Sequence, residues 1–285
     1  MVTLNEIAAL FVFTEVAEAG SVSRAIERLG IERPTIRAKL KKFSASVNFG
    51  KPLVESGKLT SDGVELYKQI RPEMETIKAS LLNIQARSNP SVKTGQFVYI
   101  CQRHNVNVIE AGEGTPVICR AWRAWRYSGN YLENTAMTAL RPWRLVYRKT
   151  DDGWILIEVG EKSSYATWLG EKWSKSTIGR LSREDPTGLL YDKAVTSAYE
   201  DVYQWGVPRF DHTQACIPRH GDVDFQWVSY QRLILPVKLA DGDDVIAVIV
   251  VRTNQISIPT LPEYERHLMS TELLTEENLL QVTEL

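Results

Sequence analysis

Apolar residues near the start of the chain recur every three positions, at Ile7, Leu10, Phe13 and Val16 beside Ala17. This spacing predicts a helix over Thr3 to Ala19. Gly20 ends it, and Ser21 or Ser23 offers a cap for a second helix, about Val22 to Leu29, with Ala25, Ile26 and Leu29 turned inward. Gly30 is placed as a left-handed stop. A third helix begins near Glu32 with Pro34 in its first turn, where the absent N–H is not missed, and carries an inner stripe of Ile36, Leu40 and Phe43. Pro52 to Leu59 is short, extended and turn-bearing, the pattern of a β-hairpin. From Asp62 to about Ala86, Val64, Tyr67, Ile70, Met74, Ile77, Leu81 and Ile84 recur at spacings of three and four. That predicts a long helix, with a kink at Pro72. Ser88 to Ser91 reads as a linker.

The pattern then changes. Pro116 to Tyr127 is helical, with Ala121, Trp122 and Trp125 on one stripe. Trp143 to Arg148 and Trp154 to Val159 read as strands around a Lys149–Gly153 turn. Helical or irregular sequence fills about Glu161 to Gln204. Three further strands are predicted at Arg209 to Ile217, Gln226 to Val237 and Asp244 to Arg252, the last two joined by Ala240-Asp-Gly-Asp. The order is strand, strand, helices, then three antiparallel strands, with no long parallel crossover. Ile256 to Leu285 is acidic and only imperfectly periodic, so it reads as a packed helix or a mobile tail.

Composition divides the chain in the same place. All eight Trp lie between Trp122 and Trp227, so two regions with different core chemistry are expected to fold separately. The 285 residues suit about two domains, and 44% hydrophobic with 24% charged content is ordinary for a globular chain. The three cysteines, Cys101, Cys119 and Cys216, have no metal-ligand spacing and predict no disulfide framework. No basic leader precedes the first helix, and the longest apolar run, Val245 to Val251, is far below the roughly 20 residues of a membrane span. A cytoplasmic, nucleoid-associated protein with no membrane partner is the expectation.

The net charge of -1 hides a local excess. Between Ser21 and Lys58, nine basic residues face only Glu27, Glu32 and Glu55. Arg33, Thr35, Arg37 and Lys39 stand off the Ile36/Leu40/Phe43 stripe or at its edge. They are free to reach phosphates or base edges while the stripe packs inward. An arginine fork matches guanine O6 and N7. Lys41, Lys42 and Lys58 suit phosphates, which position a protein without specifying sequence. Two short helices, a tight turn, a basic helix and a hairpin together predict double-stranded DNA as partner, with Ser21, Ser23, Arg24 and Pro34 in the contacting region.

Phe13, Val16-Ala-Glu, Gly20-Ser21, Arg24-Ala25, Glu27-Arg28-Leu29, Pro34, Leu59-Thr60 and Gly63 resemble the N-terminal domain of LysR-type transcriptional regulators. The resemblance covers residues 4–86. It implies a bacterial winged helix-turn-helix over 1–60, and a linker helix over 61–90 whose 61–87 stretch pairs two subunits into a homodimer on a two-fold related site. The sequence departs from that family at Arg37-Ala38, at Phe43-Ser44 and at Val54-Glu-Ser56.

Residues 91–255 do not follow the periplasmic-binding-protein-like effector domain usual in that family. Trp122-Arg-Ala-Trp125, Trp154 to Gly160, Trp168-Leu-Gly170, Ile178-Gly179 and Leu233-Ile-Leu-Pro236 with Asp241-Gly242 resemble a PAS-type sensor domain instead. The whole is then α+β: a winged helix-turn-helix with a long linker helix, an antiparallel-sheet PAS-like domain and an acidic tail over 256–285. A PAS-like sheet implies a pocket beneath its helices for a small-molecule effector. Its candidate lining is Tyr165, Trp168, Trp173, Arg209, His212, Cys216, Trp227 and Tyr230. His212 is open as a haem or metal ligand, a pH-sensitive hydrogen-bonder or a structural residue. Cys216 is open as an oxidation sensor. No cofactor or effector is named by the sequence. Two alternatives stand beside sensing: a dimerisation or protein-docking module without a ligand, and a divergent periplasmic-type effector domain. A phosphate-binding Gly-Lys loop, His-Glu-x-x-His, Gly-x-Ser-x-Gly and Cys-x-x-Cys are all missing, so an enzyme is not expected.

Overall fold

A computed structural model describes residues 4–47, 51–71, 74, 98–218, 225–259 and 261–275. The chain is mixed helix and antiparallel sheet and divides into two units, Met1–Glu75 and Thr76–Leu285.

In the first unit, helix α1 (Leu4–Ala19) packs on α2 (Val22–Leu29) and α3 (Arg33–Val47). Its buried apolar positions are Ala9, Val12, Phe13, Val16, Ala17 and Ala19. Ile7 is exposed, a correction to the every-third-residue stripe. At about 100° per residue, nine residues turn a helix by roughly half a revolution, so Ile7 and Val16 face opposite ways. Phe13 meets Phe43 of α3 with ring centroids 5.1 Å apart. Ser21 caps α2 by accepting the Arg24 N–H at 3.3 Å, and Gly30 ends it at φ 64°. Ser23 has no such role.

Strands β1 (Val54–Glu55) and β2 (Lys58–Leu59) form a hairpin whose turn residues, Ser56 and Gly57, have φ of 49° and 82°. Positive φ at both central residues is the turn that matches the natural strand twist. The Val22 N–H donates to the Gly57 carbonyl at 2.9 Å, tying the turn to α2. A helix, α4, follows over 61–71, with residue 74 also helical. Thr60 Oγ1 accepts the Gly63 N–H at 3.1 Å at its start. A Cβ on Gly63 would stand 2.1 Å from the Leu53 carbonyl oxygen, so only glycine allows the helix this close to the hairpin. The expected kink at Pro72, and the linker and dimerisation helix beyond residue 74, lie outside the described residues.

The second unit is a six-stranded sheet, antiparallel throughout, in the order β3-β6-β7-β8-β4-β5. The strands are β3 (Val98–His104), β4 (Arg144–Thr150), β5 (Gly153–Val159), β6 (Arg209–Pro218), β7 (Phe225–Lys238) and β8 (Asp244–Arg252). The predicted Lys149–Gly153 turn narrows to Asp151-Asp152, because Lys149 and Thr150 stay paired with Trp154 and Gly153. An all-antiparallel sheet is not the alternating parallel arrangement of a periplasmic-type effector domain.

Helices α5 (Asn107–Glu110), α6 (Pro116–Tyr127) and α7 (Thr135–Thr138) precede β4. Helices α8 (Ser164–Leu169), α9 (Glu171–Ser176) and α10 (Leu189–Trp205) lie between β5 and β6. Leu233, Leu235 and Val237 of β7 pack in the core of α6, whereas Ile234 packs in the core of α10. Burial on both faces explains why β7 and β8 read as unbroken apolar runs rather than as alternation.

The boundary expected at residue 255 does not end the packing. Ile258, Leu261 and Met269 are buried, and Thr275 Oγ1 accepts the Arg252 N–H at 2.6 Å. Residues 256–275 are irregular with two 3-10 turns, neither a long helix nor unpacked, because polar side chains of the sheet bond their backbone. Among the described residues no helix is long and apolar enough to cross a membrane.

Candidate nucleic-acid interface and candidate ligand cavity

Four-residue spacing puts Arg33, Arg37 and Lys41 on one face of α3. These three side chains line an open groove whose other wall is Pro52, Val54, Ser56 and Gly57 of the hairpin. All three are exposed, and none forms an ion pair with a described residue. Ile36, Leu40, Phe43 and Ser44 form the adjoining buried stripe, of which Leu40 and Ser44 make the floor of the groove. Ser44 Oγ accepts the Leu53 N–H at 3.2 Å, which fixes the hairpin against α3. The Ser44 hydroxyl is therefore a structural bonding group.

The remaining predicted contacts are spread more widely. Thr35 and Lys42 are exposed on the other flank of α3, and Lys39 beside them is half-buried. Pro34 is exposed at the helix start; Ser23 and Arg24 are exposed on α2, and Lys58 on β2. Ser21 is occupied as the α2 cap. The structure thus brings together Arg33, Arg37 and Lys41 and leaves Lys39, Lys42 and Thr35 outside the groove.

On the α10 face of the second sheet lies a cavity of about 100 Å³. Its walls are mainly apolar and aromatic, from Leu145, Tyr147, Trp168, Ile217, Val228 and Val250 among others. Of the eight expected lining residues, Tyr165, Trp168 and Tyr230 reach it. Sequence reasoning missed Asp185, Tyr191, Tyr199, Arg232 and Arg252, which also line it. Arg232 carried a signal: a lone arginine amid the apolar positions of a strand.

The other five stand elsewhere. Trp173 packs in the neighbouring apolar cluster without lining the cavity. Arg209 does not line the cavity and is held in ion pairs with Asp201 at 2.9 Å and Asp211 at 2.8 Å. His212, Cys216 and Trp227 are out of step with Ile217, Val228 and Tyr230, which line the cavity, so the two-residue period of a strand turns them to the opposite face. His212 Nδ1 accepts the Ser257 N–H at 2.8 Å. Burial, then the neighbouring His104 charge, lowers its pKa to about 3, so it is a neutral structural bonder near neutral pH. Burial pushes the Cys216 thiol up, against a role as a reactive thiolate. Trp227 stacks on His267, centroids 3.8 Å apart. Among the described residues no group of three or more His, Cys, Asp or Glu is arranged to hold a metal.

Two polar ends mark the cavity. At one, Tyr165 Oη donates to Asp185 Oδ1 at 2.6 Å. Burial raises the Asp185 carboxyl to about 6, with the Tyr165 bond opposing and Asp192 and Glu184 adding to the rise. At the other, Arg232 is 2% exposed and Asp211 fully buried, with Nη2 to Oδ2 at 2.6 Å. Burial pushes the Asp211 carboxyl up, but Arg209 and then Arg232 outweigh it and hold it below its ordinary range. The Tyr191 and Tyr230 hydroxyls meet at 3.3 Å between these ends. Burial raises both their pKa values, so each remains a neutral hydrogen-bonding group.

Comparison with known proteins finds no family model that matches the chain and no curated protein with significant sequence similarity.

Proposed function

We propose that this chain is a dimeric, sequence-specific DNA-binding transcriptional regulator. Its first unit is a winged helix-turn-helix, and its second is a PAS-like domain that senses a small molecule. The observation that carries the reading is the row Arg33, Arg37 and Lys41, exposed beside a hairpin and backed by a buried apolar stripe. Cations so arranged displace condensed counterions from a duplex while the helix keeps its packing. In this reading the hairpin beside α3 is the wing.

Support for the sensing half comes from the order of elements: a hairpin, a run of helices, then a three-stranded meander, with an apolar cavity beneath α8 and α10. Ligand sites are commonly of this kind, mostly apolar with a few placed polar groups. A ligand shifts DNA affinity only if it binds the two conformations unequally.

Fluorescence anisotropy with duplexes from the source genome tests the reading. Tight binding with a steep salt dependence is expected. Arg33→Ala or Arg37→Ala should narrow the gap between specific and random duplexes by about 1–3 kcal/mol if either makes a bidentate base contact. Lys42→Ala should weaken all duplexes alike and reduce the salt slope. No binding to any duplex at low ionic strength would overturn the proposal.

A further inference from the structure

The buried arginine in the cavity wall has one nitrogen left over. Asp211 takes Arg232 Nε at 3.1 Å and Nη2 at 2.6 Å, and it also takes Arg209 Nε at 2.8 and 3.0 Å. Arg232 Nη1 is buried and has no hydrogen-bond partner. A guanidinium donates from all three nitrogens, and a buried polar group without a partner is the exception in folded proteins. In the interior two guanidinium groups share one carboxylate; the other acidic partner of Arg209, Asp201, is 30% exposed at the rim. Arg252 lines the same cavity, stacked over Trp168 at 5.6 Å, and donates to the carbonyls of Ser164 and Leu273. The Arg232 end of the cavity is therefore short of one acceptor, and the wall between it and the Asp185 end is mainly apolar and aromatic.

We propose that this cavity binds a small organic carboxylate, its anionic group against Arg232 Nη1 and its apolar body against Val228, Ile217 and the aromatic wall. The inference rests on reading the second unit as a sensor and names the chemical class it senses. A carboxylate supplies the missing acceptor in the form of a charge-assisted hydrogen bond, stronger than a neutral acceptor would give. The Asp185 end excludes a second anionic group from the far side, which selects a monocarboxylate over a dicarboxylate. The volume of about 100 Å³ favours a short aliphatic or single-ring body.

Calorimetric titration of the full chain with butyrate, 3-methylbutyrate and benzoate, and with the three corresponding amides, tests this. At least one carboxylate should bind saturably, and its amide at least tenfold more weakly. Arg232→Gln should abolish carboxylate binding. Since Arg232 also belongs to a buried ion pair, Val228→Phe serves as a second variant: it fills the cavity without touching the ion network and should abolish binding too. Equal binding of acid and amide, no binding by any of the three acids, or binding that survives Val228→Phe would each overturn the inference. The last result would place the anion on the basic face of α3. DNA anisotropy on the same samples separates the two readings. Intact DNA binding with no carboxylate binding sinks only this inference, whereas carboxylate binding without any effect on DNA affinity removes the sensing role and leaves the site.

Discussion

Arg232 and Asp211 sit directly across from one another on adjacent strands and join their charged groups at 2.6 Å inside the sheet unit. Register decides this pair: one residue of slip in either strand would turn one charge to the opposite face. A pair this deeply buried is far more costly to break than to replace as a whole.

Asp211→Asn should therefore lower the unfolding free energy of the second unit by about 3–5 kcal/mol at neutral pH, since two guanidinium groups lose their shared counter-charge. The Asp211 carboxyl titrates below its ordinary 3.8 in the folded state. Its stabilisation is present above 3.8 and is lost as pH falls through the lower folded value, so the gap between wild type and variant should close in strong acid. Urea unfolding followed by tryptophan fluorescence measures it, because every tryptophan lies in this unit.

Asp185 has the opposite sign. Its folded carboxyl holds a proton up to about pH 6, against an ordinary 3.8. Stability falls as pH rises across that interval and stays lower above it. Asp185→Asn removes the ionisation. Its melting temperature should exceed that of wild type at pH 7.5 and approach it at pH 4, read by the same fluorescence. An advantage independent of pH would show that the carboxylate is not disfavoured by its surroundings.

Gly63→Ala should destabilise the first unit by about 1–3 kcal/mol, because the new methyl meets the Leu53 carbonyl oxygen at 2.1 Å and backbone must move. Ser61→Ala, an exposed change two residues away, is the control. Loss of helical circular dichroism at lower temperature, with the tryptophan transition unmoved, is the expected signature.

Ser56→Asn should stabilise the hairpin by about 0.5 kcal/mol, since asparagine adopts a φ of 49° more readily than serine ahead of Gly57. Circular-dichroism melting of the first unit reads the gain. Ser56→Val should move it the other way, as a β-branched side chain resists positive φ.

The sequence alone determined the elements wherever chemistry is local. The Ser21 cap, the Gly30 stop, the Pro116–Tyr127 helix and the Asp244–Arg252 strand follow from side chains acting on their own backbone or on a neighbour three or four residues away. The Ile36/Leu40/Phe43 stripe and the exposed Arg33 and Arg37 at its edge follow equally, because the helical period fixes which positions turn inward and which border them. What only the tertiary structure decided are the relations that span distance in the chain. In β6 and β7, strand register sent His212, Cys216 and Trp227 away from the cavity and Arg232 and Tyr230 into it, although these residues lie interleaved in the sequence. Both faces of that sheet are covered, so no alternation of polar and apolar residues marked which face held the cavity. Asp185 comes to Tyr165 across twenty residues that include two short helices, and Asp211 to Arg232 by strand pairing, because packing on one face of the sheet, rather than any local preference, sets where those charges meet.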